Sequence, residues 1–126
     1  MKRLRQFLYL IGSLLFFQGV TSLLFLALSI SIPTPWNRLI RPDSLHAWLH
    51  VSSAMLIWIG LRQKKVLAVG RSFSLCYLLL GLLGLALHHP LGLLLDKGEN
   101  LFHLLIAAAG LWLSFRAKQN SKGHFN

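Results

Sequence analysis

Asp96-Lys97-Gly98-Glu99-Asn100-Leu101-Phe102-His103, running through an apolar stretch to Trp112 and Arg116, is the segment on which the fold turns. It has an earlier echo in Asp43–Arg62. Asp43 stands seven residues before His50, as Asp96 stands seven before His103. Trp58 stands four before Arg62, and Trp112 four before Arg116. A shift of 53 superposes Asp43 on Asp96, His50 on His103 and Ala54 on Ala107, and the Trp and Arg match with one residue more. The spacing predicts two copies of a helical hairpin, arranged as parallel repeats about an axis along the membrane normal. His50 and His103 then open related helices at similar depth and are placed to face each other.

The chain around these copies has 126 residues, 55% of them hydrophobic and only 13% charged. Soluble domains carry about 25% charged residues. The apolar residues fall in four blocks, roughly 7–32, 45–61, 73–87 and 101–115, and none contains Asp, Glu, Lys or Arg. A membrane helix needs about 20 mostly apolar residues. The first block meets that alone, and the others meet it once their polar ends are counted. The expectation is an all-α, four-helix transmembrane bundle in a single domain spanning 1–126. Its helices are expected at about 7–30, 44–61, 72–88 and 98–115, with a polar cytoplasmic tail at 117–126.

The net charge of +10 suggests nucleic acid until its distribution is read. Lys2, Arg3, Arg5, Arg62, Lys64, Lys65, Arg71, Arg116, Lys118 and Lys122 all fall on one side of a chain that crosses four times. The other side holds Arg38, Arg41, Lys97 and all three acids. This is the positive-inside asymmetry, which puts both termini in the cytoplasm. The expected partner is therefore the lipid bilayer, not nucleic acid. The small-residue stripe Gly12, Leu15, Gly19, Ser22 and the stripe Ser74, Tyr77, Gly81, Gly84 allow close helix approach. They leave room for a homodimer or a partner membrane protein.

Local signals place the ends. Basic residues before an apolar run resemble a signal peptide, but the run is about 25 residues where a signal core has about 7–15, so an uncleaved first helix is expected. Pro33, Pro35 and Pro42 break the chain before Asp43, which reads as the N-cap of the second helix. Arg62–Arg71, containing Gly70, reads as a basic turn. Asp96 with Glu99 fits a capping box, and Asn100 follows on the face of His103. The lone Cys76 reads as a small buried hydrophobe.

Five of the six histidines lie towards the acidic side: His46, His50, His88, His89 and His103. His46 and His50 are four apart and share a helix face. Neutral imidazole binds haem and metal ions, and the core of a helix bundle is where such sites are built. His50 and His103 could hold haem b axially, or His46, His50 and His103 a divalent metal; His46 with His50 could also take a third ligand from His88, His89, Asp96 or Glu99. Against haem, no Cys-x-x-Cys-His attachment motif is present. The plainer reading is that these imidazoles bond polar partners across the helix interface and fix packing. No Gly-x-Ser-x-Gly or His-Glu-x-x-His motif supports an enzyme.

The run Glu99-Asn100-Leu101-Phe102-His103, continuing through Ala107-Ala108-Ala109-Gly110-Leu111, together with Leu49-His50 and Gly81-x-x-Gly84, resembles a family of uncharacterised bacterial four-helix integral membrane proteins. That family is marked by an Asn-x-x-His motif opening the last helix. The likeness covers roughly 45–115. It implies a small multi-pass protein of the bacterial cytoplasmic (inner) membrane, with no activity to carry over. The expected role is structural or accessory with no resident cofactor, and a haem- or metal-binding protein is the alternative.

Overall fold

The computed structural model describes residues 1–30, 43–87, 93 and 96–122, with side chains to Gln119. All regular structure among them is helical: α1 (Lys2–Ala27), α2 (Ser44–Arg62), α3 (Val66–Ala86) and α4 (Lys97–Lys122). Four helices are long and apolar enough to cross a membrane. The Pro-rich segment with Trp36, His88, His89 and Pro90, and residues 123–126 lie outside the described residues.

Three helix bounds differ from those expected, each for a local reason. α1 begins at Lys2 and stops at Ala27, where Ser29 turns left-handed at φ 51° and the Ile30 amide reaches back to the Phe25 carbonyl. That pattern is a Schellman stop. α3 begins at Val66, six residues before the expected start, and the turn shrinks to Gln63–Lys65. Lys64 takes φ 60° there, and the Lys65 amide closes on the Gly60 carbonyl. Gly70 is therefore no breaker; it is buried inside α3 against Leu4 and Ser114. α4 continues through the supposed tail to Lys122. Lys, Arg and Gln are good helix formers, and Ala117 is buried against the core.

The bundle has an apolar core with a few polar groups buried in it, and its exterior is apolar as well. Ser22, His46, His50, Ser74, Asn100, His103 and Ser114 are buried, while Leu10, Phe17, Leu56, Leu105 and Phe115 are mostly exposed. Cys76, expected to be buried, also lies exposed on the outer face of α3. In water, a continuous apolar exterior of this kind marks an interaction surface. In lipid it is the solvated face, and the interior is marked by small and polar groups that let helices meet.

The two hairpins repeat at the level of packing. In α1 the buried residues Leu4, Leu8, Ile11, Gly12, Leu15 and Gly19 correspond, 62 places on, to Val66, Gly70, Phe73, Ser74, Tyr77 and Gly81, all buried in α3. In α2, Ala47, His50, Ala54, Ile57 and Leu61 correspond, 53 places on, to Asn100, His103, Ala107, Gly110 and Ser114, all buried in α4. The partners repeat too. A methyl at Gly19 would meet Ala47 and Val51, and one at Gly81 would meet Asn100 and Leu104, the residues 53 places on. α1 packs most extensively on α2 and α3 on α4, whereas α2 and α4 stand diagonally across the bundle.

Candidate metal centre

Diagonal placement points α2 and α4 at each other across the bundle axis, and histidines fill the space between. Asp43 opens α2: its Oδ1 accepts from the amides of Leu45 (3.0 Å) and His46 (3.4 Å). Asp96 and Glu99 open α4 reciprocally. The Glu99 amide donates to Asp96 Oδ1 at 2.8 Å, and the Asp96 amide donates to Glu99 Oε2 at 3.0 Å. From these starts, His46 and His50 are the third and seventh residues of α2, and Glu99 and His103 the third and seventh of α4. At 1.5 Å per residue, each seventh position lies about 9 Å below its helix start.

His46, His50 and His103 are all buried, and one ligand nitrogen from each lies within 4.8 Å of the other two. The rings meet edge to face, with centroids 4.3 Å apart for His46–His50, 5.9 Å for His46–His103 and 6.1 Å for His50–His103. Tyr77 closes the α3 side, 5.1 Å from the His103 ring, and Phe73 backs Tyr77 at 4.5 Å. Nε2 of His50 and both ring nitrogens of His103 are buried with no hydrogen-bond partner among the described residues. A buried polar group left in that state costs about 1–3 kcal/mol, so the cluster is a place where a ligand gains free energy by arriving.

Glu99, expected both as part of the capping box and among the candidate third ligands beside His46 and His50, lies next to this centre. Its Oε1 lies 3.7 Å from His46 Nδ1 while Oε2 holds the cap. The signal was available: the shift of 53 that pairs His50 with His103 pairs His46 with Glu99. The site is thus a pseudo-symmetric quartet in which one of two equivalent imidazoles is replaced by a carboxylate. Asn100, singled out with His103, is buried beside it but packs against Gly84, whose missing Cβ makes the space. His88 and His89 lie outside the described residues. Ser52 turns its hydroxyl to the Trp48 carbonyl and away from His50.

Three imidazoles on two helices, with a carboxylate beside one of them, suit a borderline transition-metal ion, which takes nitrogen at about 2.0–2.1 Å in tetrahedral geometry. Such bonds set nitrogens about 3.4 Å apart, and torsion of the imidazoles spans the difference. Glu99 would hold the His46 ring by Nδ1, leaving Nε2 for the metal, the carboxylate–histidine–metal relay common at such sites. Comparisons of the chain with protein families, with curated proteins and with solved structures give no match.

Proposed function

We propose that this chain spans the bilayer four times, with both termini in the cytoplasm, and holds one divalent transition-metal ion in its core through His46, His50 and His103. The convergence of three buried imidazoles to within 4.8 Å carries the reading. Crossing is supported by four apolar helices and an apolar exterior. Orientation is supported by the cluster of cations at one end of the helices and the acids at the other. The membrane in this reading is the bacterial cytoplasmic (inner) membrane, and its support is the resemblance to bacterial four-helix proteins. The rings disfavour haem b, because a macrocycle clamped between His50 and His103 would need the volume that His46 and Tyr77 occupy.

The test is metal content and the visible spectrum of protein purified in mild detergent from cells supplied with haem and transition metals. The expected result is about one ion per chain, as for a single closed site, absent from a His50→Ala/His103→Ala variant, with no Soret band in either. Loading with Co2+ should give the intense visible bands of tetrahedral cobalt. A metal-free, colourless protein whose double variant is merely less stable would favour the second reading. In that reading the chain is a structural or accessory protein, and the tight glycine contacts between helices supply its observation.

A further inference from the structure

At the end of the bundle opposite the histidines, a cavity of about 440 Å³ opens between the first turn of α1 and the last turns of α4. Its lining includes Lys2, Arg3, Trp112, Arg116 and Gln119. We propose that this cavity binds the phosphate of an anionic phospholipid headgroup. The inference rests on the four-crossing reading and not on the metal ion.

Charge carries the first part. Three cations from two helices surround one hollow, and no acidic residue lines it. The chain's acids, Asp43, Asp96 and Glu99, all sit at the opposite ends of α2 and α4. From Glu99 to Arg116 is about 26 Å along α4 at 1.5 Å per residue, beyond a screening length of about 8 Å. Among the described residues these cations therefore have no acidic counter-charge, and an anion in the hollow removes their mutual repulsion.

Geometry carries the second. The Arg116 guanidinium lies over the Trp112 ring, 4.5 Å from its centroid. Stacking holds its plane and leaves its N–H fork for a phosphate, which guanidinium grips in bidentate fashion. Exposed Trp112 and Phe115 continue from the rim as an apolar face for acyl chains.

The experiment is thermal unfolding in zwitterionic detergent during titration with short-chain phosphatidylglycerol, short-chain phosphatidylcholine or inorganic phosphate. A ligand that binds only the folded state raises the transition saturably. Phosphatidylglycerol should do so and the other two should not. A Lys2→Gln/Arg3→Gln/Arg116→Gln variant should need at least about tenfold more lipid, since charge-assisted bonds are the strong ones. An Arg62→Gln/Lys64→Gln/Lys65→Gln variant, which removes three cations from the same end, should stay near the parent. Arg116→Lys, which keeps charge and loses the fork, should fall between and guards against a misfolded triple. Equal effect of inorganic phosphate would make this a free-anion site and overturn the lipid. Equal effect of phosphatidylcholine, or equal weakening by both triples, would reduce it to non-specific attraction. Failure of the four-crossing reading would show separately, as a chain that stays soluble without detergent.

Discussion

The two hairpins share a packing template and differ in what they bring to the axis. Six of the seven residues buried in α1 correspond to buried residues of α3, and five of the seven buried in α2 to buried residues of α4. His50 and His103 keep their identity across the repeat, while His46 becomes Glu99 and Leu15 becomes Tyr77. Duplication supplies two like helices facing one another, which alone would give two pairs of equal ligands. Exchange of one imidazole for a carboxylate makes the centre directional: Glu99 orients His46 from one side, and Tyr77 covers His103 on the other. The lesson is that the framework is symmetric and the chemistry is not.

The largest effects should come from the residues the repeat conserves. His50→Ala and His103→Ala should each lower metal affinity by more than about 100-fold, because three protein ligands are the minimum for a held ion. If the centre is symmetric at that level, the two losses should agree within a few-fold in a competition titration with a chelator. A large loss for one and none for the other would remove it from the site. Breaking the asymmetry is the sharper probe. Glu99→Gln should weaken binding by about 10–100-fold, the usual cost of losing an outer partner. Glu99→His makes the second hairpin match the first and should keep the ion bound through imidazole alone.

The glycines test the packing half of the comparison. A methyl at Gly19 would lie 2.7 Å from the Ala47 carbonyl oxygen and 3.1 Å from the Val51 amide, both backbone. At Gly81 it would lie 2.9 Å from the Leu104 side chain and 3.2 Å from the Asn100 carbonyl. Side chains yield and helix backbones do not. Gly19→Ala should therefore cost about 2–3 kcal/mol and Gly81→Ala about 1, within the range for overpacked cores. Unfolding in detergent measures both. Equal losses would mean that the first hairpin opens as easily as the second, and the tight contact would be relaxed in solution.

Much of the fold is legible in the sequence. Four charge-free blocks and two Asp-to-His spacings predict the helices, the repeat and the pair His50–His103. What stayed hidden did so for physical reasons. The relation of α1 to α3 shows only in the spacing of the stripes Gly12, Leu15, Gly19, Ser22 and Ser74, Tyr77, Gly81, Gly84; elsewhere it lies in burial, since Leu8 stands opposite Gly70 and Ile11 opposite Phe73. Apolar periodicity is silent because the outward and buried faces are both apolar, as Leu10 and Leu8 illustrate. The start of α3 was masked by Lys65, Gly70 and Arg71, whose types suggest a turn, although Gly70 is covered by Leu4 and Ser114 within a helix. Glu99 was one of four candidate third ligands, and its cap hid which of them lies beside His46, since one carboxylate does both jobs with different oxygens.

The smallest effect tests whether the helix starts hold the site. Asp43 receives two amides with one oxygen, the second at a long 3.4 Å. Asp96 receives one at 2.8 Å and has its own amide taken by Glu99. Loss of an N-cap costs about 0.5–2 kcal/mol, and the reciprocal cap should sit at the upper end. Asp96→Ala is thus expected to destabilise by about 1.5 kcal/mol and Asp43→Ala by nearer 0.5. Each cap also holds the backbone of a residue at the centre, the His46 amide in one case and the Glu99 amide in the other. Both variants should therefore lose a few-fold in metal affinity while keeping one ion per chain. The opposite ranking in unfolding experiments would mean that α2 depends on its single cap more than α4 on its box, and the second hairpin could no longer be taken as the more firmly anchored half of the site.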